Sequence, residues 1–121
     1  MATLLLIEDN PANMKLMVFL LESAGHTVIS ARDAEAGLAL AREKGPNLIL
    51  MDIQLPGMDG LEATALLKSD DATRGIPVIA LTALAMRGDE ERIRAAGCDG
   101  YIAKPMQYQE LLAVIATQLA R

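Results

Sequence analysis

Glu8 and Asp9 follow directly on the apolar run Leu4 to Ile7, Asp52 on Leu48 to Met51, Thr82 on Val78 to Leu81, and Lys104 on Tyr101 to Ala103. If the first and third runs lie side by side, three carboxylates meet in one pocket, where their repulsion is costly unless a hard divalent cation neutralises it. Mg²⁺ keeps several waters and takes few protein oxygens, so Asp9, Asp52 and a backbone carbonyl just after Asp52, that of Gln54, suffice as ligands. Glu8 then stands behind them or binds through a water. Thr82 and Lys104 add a hydroxyl and a fixed positive charge to the same rim, and both suit phosphoryl oxygens. In-line phosphoryl transfer asks a protein for little beyond positioning and charge neutralisation. A carboxylate nucleophile, Mg²⁺, a lysine and hydrogen-bond donors are a sufficient set, with the central carboxylate, Asp52, as the nucleophile. Singly, each residue is ordinary: an acidic pair before a helix is usually a cap, and a lysine before proline is usually solvated. Five such groups, each at the exit of an apolar run, make a set.

These groups need elements to hold them together. Thr27 to Ala31 adds a fifth run, and continuous apolar runs suit strands buried on both faces. Between the runs lie helix-compatible segments. Asn10 caps and Pro11 opens a helix from Pro11 to Ala24, with Gly25 closing it. Asp33 caps a second that stops at Gly45, a third follows the turn Leu55-Pro-Gly-Met-Asp-Gly60, a fourth ends near Gly97, and a fifth repeats Tyr108, Leu111, Leu112, Ile115 and Leu119 at helical spacing. Strands alternating with helices imply right-handed crossovers and an α/β fold with helices on both faces. The expected architecture is a doubly wound, five-stranded parallel sheet of order 2-1-3-4-5, flavodoxin-like, with ligands at the carboxyl ends of strands beside the switch point.

Bulk properties narrow the partners. The 121 residues suit one core, so a single domain over residues 1–121 with no output domain is expected. A net charge of −5 repels nucleic-acid backbones, and 2% aromatic content leaves no platform for stacking bases. Proteins and a divalent cation are the expected partners, without nucleic acid. Cys98 is the only cysteine, which excludes an internal disulfide and fits a reducing cytoplasm. No apolar stretch approaches the roughly 20 residues of a membrane span.

The segments LLLIEDN, LILMDIQLPGMDGLE, VIALTA and YIAKP together resemble the receiver domains of response regulators over essentially the whole chain. The resemblance implies Glu8 and Asp9 as the acidic pair, Asp52 as phosphoacceptor, Thr82 as switch hydroxyl, Lys104 as phosphate contact and Tyr101 as switch aromatic. EDNPANMKL and ALAMRGDEERIRAAGCDGYIAKP look most like single-domain cell-cycle receivers of the DivK kind, and also like receivers attached to hybrid histidine kinases. The implied donor is a histidine kinase or histidine phosphotransferase, and the implied output is a protein target bound at the face of helix 4, strand 5 and helix 5. Glu8 stands where many receivers carry Asp, and Gln107 is a weak cap where Ser or Asp is usual. A pseudo-receiver that binds without phosphorylation remains an alternative, opposed by the complete acidic set, Thr82 and Lys104.

Rival chemistries fare worse. A flavin carrier of the same strand order needs a Ser/Thr/Gly-rich loop after strand 1, where this chain has Glu8-Asp9-Asn10-Pro11. A phosphatase needs a second acid and a substrate-recognition cap. Further expectations concern details. The Lys104-Pro105 bond is expected to be cis, turning the amine back to the acidic pocket. Gln54 and Leu84 should flank the path of hydrolytic water. Apolar Met58, Leu84, Met86 and Met106 should rim the pit. Helix 1 carries more apolar residues than one stripe: with Leu16, Met17, Leu20 and Leu21 facing the core, Met14 and Val18 are left outward. His26 is expected in a solvated loop.

Overall fold

Short runs of leucine, isoleucine and valine hide both faces of a strand, and the computed structural model, which describes residues 2–83, 87–104 and 107–120, buries the runs at 4–7, 48–52 and 78–82 so. The run at 27–31, on an edge of the sheet, leaves Thr27 and Ser30 exposed, and the run at 100–103 is mostly half-buried. The strands are β1 (Thr3–Ile7), β2 (Thr27–Ala31), β3 (Leu48–Asp52), β4 (Val78–Thr82) and β5 (Gly100–Ala103). They alternate with α1 (Pro11–Ser23), α2 (Ala34–Lys44), α3 (Gly60–Ser69), α4 (Arg87–Ala95) and α5 (Tyr108–Leu119). Every neighbouring pair is parallel, in the order β2-β1-β3-β4-β5. Side chains alternate along a strand. Leu4 and Leu6 therefore join Leu50, Leu81, Met17, Leu21 and Leu111 in the layer under α1 and α5. Leu5 and Ile7 join Ile49, Met51, Ala41, Ala63 and Leu67 in the layer under α2 and α3. Each large aliphatic side chain so buried contributes about 1.5–3 kcal/mol.

Local chemistry sets the helix ends. The Asn10 side chain accepts from the Asn13 N–H, Asp33 from Ala36 and Asp59 from Glu62, while Gln107 makes no side-chain cap bond. Helix α1 stops at Ser23 with Ala24 as its cap, one residue short of the expected end, and Gly25 turns the chain at φ 95°.

Two expectations are corrected. Helix α1 buries Met17 and Leu21 with Met14 and Val18 partly buried beside them, whereas Leu16 is 57% and Phe19 67% exposed. Residues 14, 17, 18 and 21 span only about 100° of helical arc, and 16, 17, 20 and 21 span about 140°, so the narrower stripe is the one that fits against a sheet. His26 is half-buried at the amino end of β2, its Nδ1 shielded without a hydrogen-bond partner, rather than solvated. Pro105 with its expected cis bond, Leu84 beside the water path, and the rim residues Met86 and Met106 lie outside the described residues.

Candidate functional site

Strand register assembles the site. Ile7 pairs with Met51, which sets Glu8 level with Asp52; Asp52 pairs with Leu81 and Thr82 with Ala103. Asp52 and Thr82 are the last residues of their strands, and Glu8 and Lys104 come one residue after theirs. Glu8, Asp52 and Thr82 are all buried, at 1%, 4% and 3% exposure, and Asp9 is exposed at the mouth. Burial this deep is costly for carboxylates unless they are paired.

Lys104 supplies the pairing. Its Nζ lies 3.3 Å from Glu8 Oε1 and 3.2 Å from Asp52 Oδ2, bridging the two acids. The second oxygen of each carboxylate takes a backbone N–H: Asn10 donates to Glu8 Oε2 at 3.3 Å and Gln54 to Asp52 Oδ1 at 2.9 Å. One ammonium does not offset three acids. Burial first, and the neighbouring Asp52 second, push the Glu8 carboxyl up to about 7, against the pull of Lys104. Burial alone would lower the Lys104 pKa, but the Asp52 and Glu8 charges outweigh it and hold the ammonium above its ordinary value. The pocket thus lacks positive charge. One carboxylate oxygen from each of Glu8, Asp9 and Asp52 can be chosen so that all three lie within 4.8 Å of one another, a spacing that fits one hard cation. A divalent cation is what this donor set is built to hold.

The loop after Asp52 is shaped as closely as the acids. Ile53 N–H donates to the Leu81 carbonyl, and the Ile53 carbonyl accepts from Leu55 and Gly60. Gly60, the first residue of α3, packs directly on this backbone: a β-carbon there would stand on the Asp52 carbonyl oxygen and 2.8 Å from Ile53 Cα. Sequence reading takes Gly60 as a turn residue only. The one signal available is a glycine at the start of a helix, right after a capping Asp, where any helix former would serve better.

All of the predicted residues that are described lie on the carboxyl edge of the sheet except Tyr101. Tyr101 sits mid-strand on β5, half-buried, level with Ala80, and lines a groove of about 570 Å³ between α4, β5 and α5. The Lys104 N–H donates to the Thr82 carbonyl at 2.6 Å, so the hydroxyl-bearing and ammonium-bearing strand ends are tied together. A second groove of about 470 Å³ runs from Glu8 and Lys104 between α1 and α5, floored by Met17 and Leu111 and walled by Leu16, Leu20 and Tyr108. Met58, expected on the rim, instead packs partly buried against the layer under α2 and α3.

Comparison with known proteins agrees with this geometry. The pattern that defines the response regulator receiver domain matches residues 4–116. The polar-differentiation response regulator DivK of Brucella anthropi is 51% identical over 117 residues, covering 97% of this chain and 95% of that protein. The DivK of Brucella ovis is 50% identical over the same coverage. Among solved structures, the receiver domain of a sensor histidine kinase from Pseudomonas aeruginosa, which has a magnesium ion coordinated in its active-site cleft, superposes with a TM-score of 0.93 at 35% identity, covering 99% of this chain and 98% of that one. The chemotaxis protein CheY4 of Vibrio cholerae superposes at 0.91 with 25% identity, covering 97% and 98%.

Proposed function

Because the chain belongs to the response regulator receiver domain family, we propose that Asp52 accepts a phosphoryl group from the phosphohistidine of a histidine kinase or histidine phosphotransferase in a phosphorelay. The carboxylate bonds to phosphorus as the phosphorus–nitrogen bond of the donor breaks. Asp9, Asp52 and the Gln54 carbonyl hold Mg²⁺, with Glu8 behind them. Bound Mg²⁺ offsets the negative charge of the carboxylates and of the incoming phosphoryl oxygens. Lys104 supplies the positive charge this chain contributes, already aimed at Asp52 Oδ2. The Gln54 N–H orients the other oxygen. Thr82, at the end of β4, turns its hydroxyl to a phosphoryl oxygen, and Tyr101 follows on the neighbouring strand.

The observation that carries this reading is the buried Asp52 carboxylate held between Lys104 and Glu8 at the switch point of the sheet. The groove between α1 and α5, with Leu16 exposed on its wall and Phe19 exposed further along α1, suits the apolar side of a donor helix. The α4–β5–α5 face is the docking place for a downstream protein. The DivK relatives match over 95% of their own length, which supports a role as a single receiver domain like theirs; we place that role in the cytoplasm, in cell-cycle signalling. No helix among the described residues is long and apolar enough to cross a membrane.

The test is incubation with acetyl phosphate, with and without Mg²⁺, followed by mass spectrometric mapping. Phosphate is expected on Asp52 only with Mg²⁺, and Asp52→Asn should abolish it while keeping the fold. Labelling at Asp59 or His26 refutes the assignment.

A further inference from the structure

Helix α4 is tied down at its carboxyl end. Among its described residues Ile93 is buried, while Glu91, Arg92 and Arg94 are exposed. Beyond Ala95 the chain turns through Gly97 at φ 103°, and the helix closes with the Gly97 N–H on the Arg94 carbonyl and the Cys98 N–H on the Ile93 carbonyl. The turn that follows is gripped by three other elements. Lys68 of α3 donates through Nζ to Asp99 Oδ2 at 2.9 Å, to the Ile76 carbonyl at 2.9 Å and to the Arg74 carbonyl at 3.3 Å. The same Asp99 oxygen accepts from the Val78 N–H at the start of β4, at 2.8 Å. Gln118 of α5 donates to the Asp99 carbonyl at 3.2 Å. Gly97 lies on the Lys68 stem, where a β-carbon would come within 2.8 Å of Cγ, and Cys98 Sγ reaches Thr64 Oγ1 of α3 at 3.8 Å.

A solitary ion pair at partial exposure adds little to stability. Here Lys68 also serves two carbonyls, which lose that donor if Lys68 goes, and Asp99 serves the Val78 N–H, which loses its acceptor if Asp99 goes. We propose that Lys68 and Asp99 fix a pivot at the carboxyl end of α4: when Asp52 is phosphorylated, α4 swings about that end. The Cys98, Asp99 and Gln118 side of the α4–β5–α5 groove then keeps its shape in both states, and the half near Tyr101 and the amino end of α4 changes. A protein docking on this face meets a constant half and a variable half. Lys68 and Asp99 are positioning residues, far from the reacting atoms, and the proposal rests on the phosphoacceptor reading above.

The test is amide hydrogen exchange and chemical-shift mapping by NMR on the ¹⁵N-labelled protein. Without activation, protection should rise along α4, with the Ala96, Gly97, Cys98 and Asp99 amides exchanging as slowly as those of β4. Lys68→Met should speed exchange at Gly97, Cys98, Asp99 and Val78 roughly 10- to 100-fold, the factor for a lost charge-assisted hydrogen bond. Asp99→Asn, which preserves shape, should act at the same amides to a smaller degree. Protection that is even from Glu91 to Asp99, or unchanged in both variants, overturns the pivot. With beryllofluoride and Mg²⁺, wild-type shift changes should fade along α4 to none at Cys98 and Asp99, and in Lys68→Met they should extend through both. Wild-type changes as large at Asp99 as at Glu90 overturn it as well. A protein whose amides around Asp52 ignore beryllofluoride overturns the phosphoacceptor reading and this one with it, and the exchange profile tells the two failures apart.

Discussion

Glu8→Gln removes one charge from the acidic cluster without changing its shape, and its effect on stability should reverse with pH. Burial first, and Asp52 second, raise the Glu8 pKa from 4.5 to about 7. The folded protein therefore holds this proton more tightly than the unfolded chain does. The stability it contributes is fully present below pH 4.5 and is lost as pH rises through 7. The whole rise corresponds to about 3 kcal/mol. Water reaches the pocket past Lys104, whose side chain is 22% exposed, so about 1–3 kcal/mol is the range to expect. Glutamine is neutral throughout and its amide can donate to Asp52 as a protonated carboxyl would. In metal-free solution Glu8→Gln should equal or trail the wild type at pH 4.5 and exceed it by about 1–3 kcal/mol at pH 8. Mg²⁺ at pH 8 should narrow the gap by stabilising the wild type more. Urea unfolding in EDTA from pH 4.5 to 8, followed by far-UV circular dichroism because the chain has no Trp, measures this directly. A difference that stays constant across that range, or a variant weaker than wild type at pH 8 in EDTA, would show that Glu8 is not held charged against its environment.

Gly60→Ala should destabilise the protein by about 1–3 kcal/mol through overpacking. It should also weaken Mg²⁺ binding, since the displaced atoms belong to Asp52 and Ile53; urea melts and a Mg²⁺ titration by calorimetry check both, and wild-type affinity in a destabilised variant would separate the loop from the site. Thr82→Ala should still accept beryllofluoride at Asp52 but lose the shift changes in α4 and β5, as read by NMR; equal changes in both proteins would remove Thr82 from the coupling. Phe19→Ser should alter stability by no more than about 0.5 kcal/mol, because the ring is 67% exposed, while slowing phosphotransfer from a helical donor but not from acetyl phosphate. Equal slowing with both donors would argue against a docking role.

The fold and the acidic cluster are legible in the sequence for one physical reason. In a parallel sheet covered on both faces the strands are uninterrupted apolar runs, so the residue that ends each run is also the residue that reaches the ligand edge. Glu8, Asp52, Thr82 and Lys104 all obey that rule. Gly60 escapes it because its role is the absence of a side chain against another segment's backbone, and a glycine beside Asp59 reads equally well as a turn. The core face of α1 escapes it because a helix rich in Leu and Met offers two overlapping stripes, and packing on the sheet beneath, not composition, selects the narrower. The Lys68–Asp99 clamp escapes it too: the two residues are 31 positions apart, and neither ends an apolar run on the ligand side.

Lys104 and Glu8 are separated by 96 positions along the chain, and Lys104 and Asp52 by 52. Loop closure makes contacts of that span among the slower to form. The phosphoryl site is therefore whole only once β5 has joined the sheet and brought Lys104 to the two acids. A chain folded as far as β4 presents Glu8 and Asp52 without their ammonium, a half-site of unneutralised charge. A divalent cation, by contrast, finds its carboxylates as soon as β1 and β3 pair, and before β5 docks it meets them without competition from the ammonium. Signalling competence and completion of the sheet are thus reached in the same step: a chain stalled before β5 docks has acids for a cation but no lysine for the phosphoryl group.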